Sequence, residues 1–285
     1  MTPLRVDAPA KLNLSLAVMG RRRDGMHELV SDLVLLELSD RLLLMPGASG
    51  LRVEGAVEGV PATTADNLAW RGLVAGLGEE PELACLALEK HIPVAAGLGG
   101  GSSDAAAAWR LGRRWREEAD AADTRSLAEL GRIGADVPFF AAGCVAARVA
   151  GIGEAVDPRE PPADTPHVVL AHPAFGLPTA AVFAELRRDE WSGQAVAGAN
   201  DLLGPARRLA PALDDVFRLM AGAGGEPRLT GSGPTVYSLT DDPERAAAVA
   251  ARLARAGLRA SVTRIRDEPV SIEAVAPTDG DELEE

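Results

Sequence analysis

The sequence predicts an α+β protein in two halves, each with helices covering one face of a mostly antiparallel sheet. Two observations lead to this prediction. Apolar and polar residues alternate with a period of two in runs such as 12–18, and helix-like segments with apolar faces follow in both halves. A stretch rich in Pro, Asp and Glu at 157–166 separates two parts with different orders of elements.

In the first half, four strands and a helix precede a glycine-rich loop. The helix should start at Asp66 or Asn67, be capped by Thr64 or Asp66, and end near Leu77. After the loop, an Ala-rich segment at 105–111 predicts a second helix. The elements predicted for this half are strands 12–18, 33–38, 41–45 and one ending near 89, helices 66–77, 105–111 and 124–133, and strand 145–149.

The second half combines buried strands with amphipathic helices. Its strand pair surrounds the turn Gly231-Ser232-Gly233-Pro234. The predicted elements are strand 168–171, helices 179–187 and 210–221, a strand pair within 228–239, helix 243–256 and strand 259–265.

Composition narrows the class of protein. The chain has 285 residues, and its N-terminus lacks the basic-then-apolar pattern of a signal peptide, so we expect a soluble, cytoplasmic protein. A net charge of -13 argues against binding nucleic acid or an anionic membrane. Eight acidic and no basic residues lie at 267–285, which leaves -13 + 8 = -5 for the body and predicts a solvated tail.

The few cysteines and lysines of the chain bear on its possible function. Cys85 and Cys144 lie in apolar surroundings without metal-ligand spacing, so we interpret both as core residues. Only two of the 29 basic residues are lysine, Lys11 and Lys90. Lysine offers a compact point charge that Arg does not, so these positions are candidates for a specific function; the alternative is two surface lysines.

The loop Gly97-Leu98-Gly99-Gly100-Gly101-Ser102-Ser103-Asp104 precedes the 105–111 helix. Glycines let backbone N–H groups approach an anion, and a helix N-terminus adds unpaired donors, so the loop favours phosphate. We expect Ser102, Ser103 or Asp104 to cap the helix. The loop is neither a Walker A sequence nor a dinucleotide fingerprint. On its own it is also compatible with a flexible turn.

Lys11 and Asp136 are candidates for the chemistry. A cation near the phosphates and a carboxylate beside the attacking hydroxyl form a minimal set for phosphoryl transfer. Each is weak evidence alone, because Lys11 could face solvent and a lone Asp is often a helix or turn cap.

Three segments together resemble the ordered motifs of the GHMP small-molecule kinases: residues 9–14, 93–106 and 229–235. Four more segments resemble the 4-diphosphocytidyl-2-C-methyl-D-erythritol kinase family within that superfamily: residues 20–28, 134–139, 151–154 and 200–202. The resemblance covers about residues 5–265.

The resemblance implies a two-domain GHMP kinase fold with the active site in the cleft between the domains. The N-terminal, ATP-binding domain would span 1–157 and contain a mostly antiparallel sheet. The C-terminal domain would span 158–266 as a ferredoxin-like α/β sandwich, followed by the acidic tail 267–285.

It also implies the reaction: ATP-dependent phosphorylation of the 2-hydroxyl of 4-diphosphocytidyl-2-C-methyl-D-erythritol, in the non-mevalonate (methylerythritol phosphate) route to isoprenoid precursors, with Mg²⁺ accompanying ATP. Asp136 would act as base or orienter for the hydroxyl, and Lys11 would stabilise charge on the transferring phosphoryl group. The residues implied in ATP binding are Asn67, Lys90, Pro93, Gly97, Leu98, Gly99, Gly100, Gly101, Ser102, Ser103 and Asp104.

For the substrate, the resemblance implies that His27 hydrogen-bonds the cytosine edge and Phe183 stacks on the base. Asn13, on the same strand face as Lys11, would contact substrate. The loop residues Thr230, Gly231, Ser232 and Gly233 would complete this site. Met26 is a departure, because the family usually has Tyr there and Met offers only a flexible thioether contact.

Other interpretations stay open from the sequence alone. A GHMP kinase for mevalonate, homoserine or a sugar would share the three motifs but not the His27 segment. A non-catalytic nucleotide-binding sensor would not need both Lys11 and Asp136. We expect a small-molecule substrate, a monomer or weak dimer, no protein-held metal, and structural roles for His91, His167 and His172.

Overall fold

A computed structural model describes residues 2–47, 49–61, 63–163 and 167–275. Its strands form two sheets, and its helices pack against them. The strands are β1 (Leu4–Arg21), β2 (His27–Pro46), β3 (Gly50–Gly55), β4 (Ala84–Lys90), β5 (Ala146–Gly151), β6 (Ala155–Arg159), β7 (His167–His172), β8 (Arg228–Leu229), β9 (Val236–Thr240), β10 (Arg259–Arg264) and β11 (Ile272–Ala274). The α-helices are α1 (Leu68–Leu77), α2 (Gly100–Trp115), α3 (Thr124–Leu130), α4 (Val137–Ala141), α5 (Thr179–Glu185), α6 (Leu203–Leu209), α7 (Leu213–Gly222) and α8 (Pro243–Arg255).

The first sheet has the order β11-β1-β2-β4-β3, with β5 on another part of β2 and β6 beside β5. Its pairs are antiparallel except β3 with β4. The register of β1 against β2 shifts between Pro9 and Lys11 and again between Asn13 and Ser15. Irregularities of this kind turn side chains locally, and here they flank the two candidate polar residues of the strand.

The second sheet is antiparallel and has the order β10-β7-β9-β8. With helices between β7 and β8 and helix α8 between β9 and β10, this is the βαββαβ arrangement of a ferredoxin-like sandwich. The predicted fold class is therefore confirmed in both halves.

Helix α2 is fixed against α1 by two glycines. A methyl group at Gly72 would collide with the carbonyl oxygen of Ala105, and one at Gly76 with that of Trp109. Ala105 to Ala108 are buried, so the small residues of α2 pack closely on both sides. This packing fixes the N-terminus of α2 beside the glycine loop.

Several predicted elements needed correction. Strands 33–38 and 41–45 are one strand, β2, because Ser39 and Asp40 continue it rather than turn the chain. Strand β6 occupies part of the presumed linker, and α4 and α6 were not predicted. Asn67 caps α1, since its Oδ1 accepts the amide of Ala69 at 2.9 Å.

The prediction of an acidic tail at 267–285 also needs correction in part. Residues 272–274 form β11, with Leu4 opposite Ala274 and Val6 opposite Ile272, so they belong to the first sheet. Ile272 packs against the apolar cluster that contains Val6, which explains why this acidic segment is ordered. The rest of the predicted tail, from 276, lies outside the described residues. The domain limits 1–157 and 158–266 stay a prediction.

Within the described ranges, none of the helices combines the length and apolar character needed to cross a bilayer.

Candidate active site

A cleft of about 530 Å³ lies where the two halves meet. The glycine loop, β1, β2 and α1 line one side, and residues from the start of α5 and the 231–232 turn line the other. This volume suits a small-molecule site. The predicted site residues that line the cleft are Lys11, Asn13, Asn67, Lys90, Pro93, Gly97, Gly99, Gly100, Gly101, Ser102, Asp104, Asp136, Phe183, Gly231 and Ser232.

Lys11 and Asp136 come together in this cleft. Lys11 is buried on β1, and its Nζ lies 3.6 Å from Oδ2 of Asp136. Asp136 precedes α4 at the N-cap position without a side-chain capping bond, so its carboxylate is not engaged as a helix cap. The capping alternative for Asp136 is therefore wrong, and the carboxylate is available to the cleft.

Asn13 fixes the ammonium group of Lys11. The Lys11 Nζ donates a hydrogen bond to Asn13 Oδ1 at 2.5 Å, and Asn13 Nδ2 donates to Ser31 Oγ at 2.8 Å. The chain backbone at Asn13 also contacts the second half: its amide donates to Thr230 Oγ1, and its carbonyl accepts the hydroxyl of Tyr237. Burial raises the pKa of Tyr237 to about 12, so this hydroxyl stays a donor.

Gly97 lets the glycine loop approach the 230–233 turn. Its φ is 77°, and a methyl group there would lie 2.6 Å from the Thr230 carbonyl oxygen and 2.9 Å from that of Gly233. Backbone from the two halves thus meets at a position that only glycine fits without movement. These contacts attach the loop to the second half, which the interpretation as a flexible turn does not explain.

The N-terminus of α2 begins at Gly100, and Gly99 at the cap position has φ 73° and no capping side chain. The predicted caps Ser102, Ser103 and Asp104 lie inside the helix instead. Without a capping side chain, first-turn amides remain for a ligand in the cleft, and the helix dipole favours an anion there.

Lys90 lies in a buried cluster with two carboxylates. Its Nζ donates to Asp104 Oδ2 at 2.6 Å and to Asp40 Oδ2, and all three side chains are buried. Asp40 Oδ1 also accepts the amide of Ile92 at 2.8 Å. Although burial opposes it, the attraction of Asp104 and Asp40 raises the pKa of Lys90, which therefore stays charged.

Asp104 differs from a surface acid. Burial raises its pKa to about 8, against the opposing effect of Lys90, and the neighbouring Asp40 raises it further. With one cation for two carboxylates, the cluster retains a proton near neutral pH. Its Oδ1 has no hydrogen-bond partner in the part of the chain described.

The predicted base-binding residues contact each other, with Phe183 lining the cleft and His27 beside it. The rings of His27 and Phe183 are stacked, with centroids 5.3 Å apart and planes 23° apart. Burial, and then the charge of Arg21, lowers the pKa of His27, which favours the neutral ring with one donor and one acceptor. Met26 is 49% exposed.

Six predicted site residues do not line the cleft. The Leu98 side chain is in the core, although its carbonyl accepts the Lys11 amide at 2.9 Å. Ser103 is buried on the opposite side of α2, beside a small second cavity. Thr230 contacts Asn13 as described. The others are Met26, His27 and Gly233.

Sequence reasoning missed the roles of several residues. Asp40 lay between the predicted strands 33–38 and 41–45 and was given no role, whereas it accepts a hydrogen bond from the buried Lys90. Asn200 supports the 229–231 turn by donating to the carbonyls of Leu229 and Gly231. Gly153 lies so close to the Ala135 carbonyl that a methyl group would collide with it, beside Asp136.

Comparisons with known proteins agree with this geometry. Residues 67–144 match the GHMP kinases N terminal domain, and residues 181–259 match GHMP kinases C terminal. The 4-diphosphocytidyl-2-C-methyl-D-erythritol kinase of Dinoroseobacter shibae is 40% identical over 275 residues, which span 88% of this chain and 90% of that protein. The same enzyme of Rhodopseudomonas palustris is 36% identical over 293 residues, 90% of this chain and 95% of the relative.

A solved structure gives the same result. A crystal structure of 4-(cytidine 5'-diphospho)-2C-methyl-D-erythritol kinase superposes with a TM-score of 0.75 at 34% identity, covering 92% of this chain and 98% of that one. Fold, site and sequence relatives agree. This chain belongs to the 4-diphosphocytidyl-2-C-methyl-D-erythritol kinase family of GHMP kinases.

Proposed function

We propose that this chain transfers the γ-phosphoryl group of ATP to the 2-hydroxyl of 4-diphosphocytidyl-2-C-methyl-D-erythritol, in the methylerythritol phosphate route to isoprenoid precursors. Membership of an ATP-dependent phosphotransferase family supports the reaction. The observation on which the proposal rests most is the Lys11–Asp136 pair, which lies in one cleft with the glycine loop.

The phosphates of ATP would bind at the glycine loop. The uncapped N-terminus of α2 offers amides and a positive dipole end, and Gly99 to Gly101 bring no side chain between ligand and backbone. Lys90 is hydrogen-bonded to Asp104 of α2, and this buried contact holds the first turn of the helix beside the loop. Asn67 lies on the same side of the cleft, which is compatible with a position near the adenine.

Lys11 and Asp136 would perform the transfer. The Asp136 carboxylate accepts the proton of the attacking hydroxyl, and the Lys11 ammonium group attracts the negative charge of the phosphoryl oxygens. Positioning and charge supply most of the catalysis in such reactions. Asn13 holds the ammonium group in place, so the pair needs little rearrangement when substrate binds.

The cytidine end of the substrate would bind near His27 and Phe183. A pyrimidine has a flat apolar face and an edge of donors and acceptors, which an aromatic ring and a neutral imidazole match. Asn13, Gly231 and Ser232 line the same cleft as Phe183 and the glycine loop, and the methylerythritol part would sit beside them. Met26 has no aromatic ring and so would not stack on the base.

Mg²⁺ would accompany ATP. Magnesium takes oxygen ligands and is commonly bound through substrate phosphates with few protein groups. Ser102 lines the cleft in the first turn of α2, so its hydroxyl would offer such an ion an oxygen ligand. Bound there, the ion would neutralise phosphate charge. Cytoplasmic location, a monomeric or weakly dimeric state and the absence of other partners stay predictions.

The test is a coupled assay of ADP release with a panel of acceptors. We expect turnover with 4-diphosphocytidyl-2-C-methyl-D-erythritol and none with mevalonate, homoserine or a sugar. Equal rates with an acceptor that lacks cytidine would overturn the specific assignment. No turnover with any acceptor, combined with measurable ATP binding, would favour the nucleotide-binding sensor.

A further inference from the structure

A third ring, Trp191, contacts His27 from the side. Its centroid lies 5.9 Å from that of His27, and the two planes are 88° apart, which is an edge-to-face arrangement. His27 is thus stacked on Phe183 and flanked by Trp191. Such aromatic contacts restrict the orientation of a ring more than an aliphatic neighbour does.

The backbone around Trp191 is held on both sides. Before it, the Glu190 carboxylate accepts two hydrogen bonds from the Arg208 guanidinium, at 2.6 and 2.8 Å. After it, Ser192 donates its amide and hydroxyl to Asp201 Oδ2, at 3.0 and 2.9 Å. The same Asp201 oxygen accepts the amide of Val18 on β1. Trp191 is therefore attached to both α6 and the first sheet.

Both Trp191 and Phe183 pack against the apolar core of the second half, whereas His27 starts β2 of the first sheet. The imidazole of the first sheet is accordingly held against two rings of the second half, one of which, Phe183, lines the cleft. The adjacent Met26 is half exposed and has no ring with which to restrain its neighbour.

We infer that Trp191 is a positioning residue for nucleobase recognition: it holds the His27 ring in the orientation in which its nitrogens meet the edge of a pyrimidine. Trp191 acts through His27 and needs no contact with the phosphates or the reacting hydroxyl. This inference rests on the proposed function, because it concerns the cytidine end of the same site.

Trp191→Leu should raise the KM for 4-diphosphocytidyl-2-C-methyl-D-erythritol roughly 5- to 10-fold, the size expected for losing aromatic contacts. The kcat and the KM for ATP should stay within about twofold, because the glycine loop and the Lys11–Asp136 pair are untouched. Trp191→Phe should recover most of the affinity. The matched control is Trp115→Leu, which changes another half-buried tryptophan, on α2 and packed on the first sheet's core.

A second measurement uses fluorescence. Titration with cytidine monophosphate should change the tryptophan emission of the wild type and of Trp115→Phe, but not that of Trp191→Phe. An unchanged substrate KM in Trp191→Leu, or a cytidine-dependent signal that persists in Trp191→Phe, would overturn the inference and leave the proposed function intact. Wild-type inactivity on the cytidine substrate would instead contradict the proposed function. If Trp191→Leu does not fold, Trp191→Phe and the titration still decide.

Discussion

Lys11 and Asp136 face each other across the cleft floor with unequal access to solvent: the Lys11 side chain is 5% exposed and the Asp136 side chain 38%. The separation of 3.6 Å between Nζ and Oδ2 is long for a direct hydrogen bond. The ammonium group is committed to Asn13, so the carboxylate remains free to accept a proton from a bound hydroxyl.

Asp136→Asn should lower kcat by roughly 10²- to 10⁴-fold, because an amide cannot accept the hydroxyl proton. ATP binding, measured by calorimetry, should change by less than about twofold. Asp123→Asn is the control, since Asp123 caps α3 on the surface and Asn is an equally good cap. Near wild-type turnover in Asp136→Asn would remove Asp136 from the mechanism.

Gly97→Ala should weaken ATP binding at least 10-fold and lower the thermal midpoint, because the new methyl group would push the Thr230 and Gly233 carbonyls away from the loop. Gly143→Ala separates crowding from backbone strain: its φ of 71° is similar, and nothing lies within 4 Å of the added methyl. Both substitutions share a strain cost of about 1 kcal/mol. Equal effects of the two on ATP affinity would contradict the crowding argument.

Asp104→Asn should flatten the pH dependence of stability between about pH 4 and pH 8. The folded state keeps its proton up to a pKa of about 8, whereas the unfolded acid loses it near 3.8. The contribution of Asp104 to the free energy of unfolding is therefore largest below pH 3.8 and decreases as the pH rises towards 8. Urea unfolding at several pH values measures the slope, with the exposed Asp157→Asn as control. A slope equal to that of the wild type would show that Asp104 is ionised in the fold.

His172 should limit stability in acid. Burial, and then the charge of Arg259, lowers its pKa from 6.5 to about 4, while its Nε2 contacts Ser261 Oγ at 2.8 Å. Below pH 6.5 the unfolded state binds a proton at His172, whereas the folded state does not bind it until about pH 4. The free energy of unfolding is therefore highest above pH 6.5 and decreases as the pH falls.

At one pKa unit per 1.36 kcal/mol, this loss amounts to about 3 kcal/mol at most. His172→Gln should therefore lose less stability than the wild type between pH 7 and pH 4.5 in urea unfolding. His167→Gln changes the first residue of the same strand, β7, and serves as control. Identical acid profiles for wild type and His172→Gln would refute the assignment.

Local patterns were sufficient for part of the site. The period of two correctly put Lys11 and Asn13 on one face of β1, and the Ala-rich segment correctly put the glycine loop before a helix. The predicted N-cap of α2 was wrong. Gly99, in a left-handed conformation, occupies the cap position, so the helix begins about one turn before the polar residues that were expected to cap it.

Contacts between distant segments could not be derived from sequence patterns. Asp40 and Lys90 are 50 positions apart, and the link exists only because β2 and β4 are neighbours in the sheet. Trp191 lies in a segment without regular periodicity, so nothing in its surroundings indicated a contact with His27. Residues 272–274 lie in the acidic segment 267–285, and their pairing depends on the free edge of β1.

The pairing of β1 with β11 also sets an order for biogenesis. Leu4 leaves the ribosome early, yet its partner Ala274 is synthesised only after both halves of the cleft. During elongation, the edge of β1 at Leu4–Val6 has neither this strand nor the apolar cover of Ile272. An unpaired edge in a long-range topology folds late and invites association with other chains. Nascent chains of this kinase should therefore depend on chaperones until the first sheet is complete.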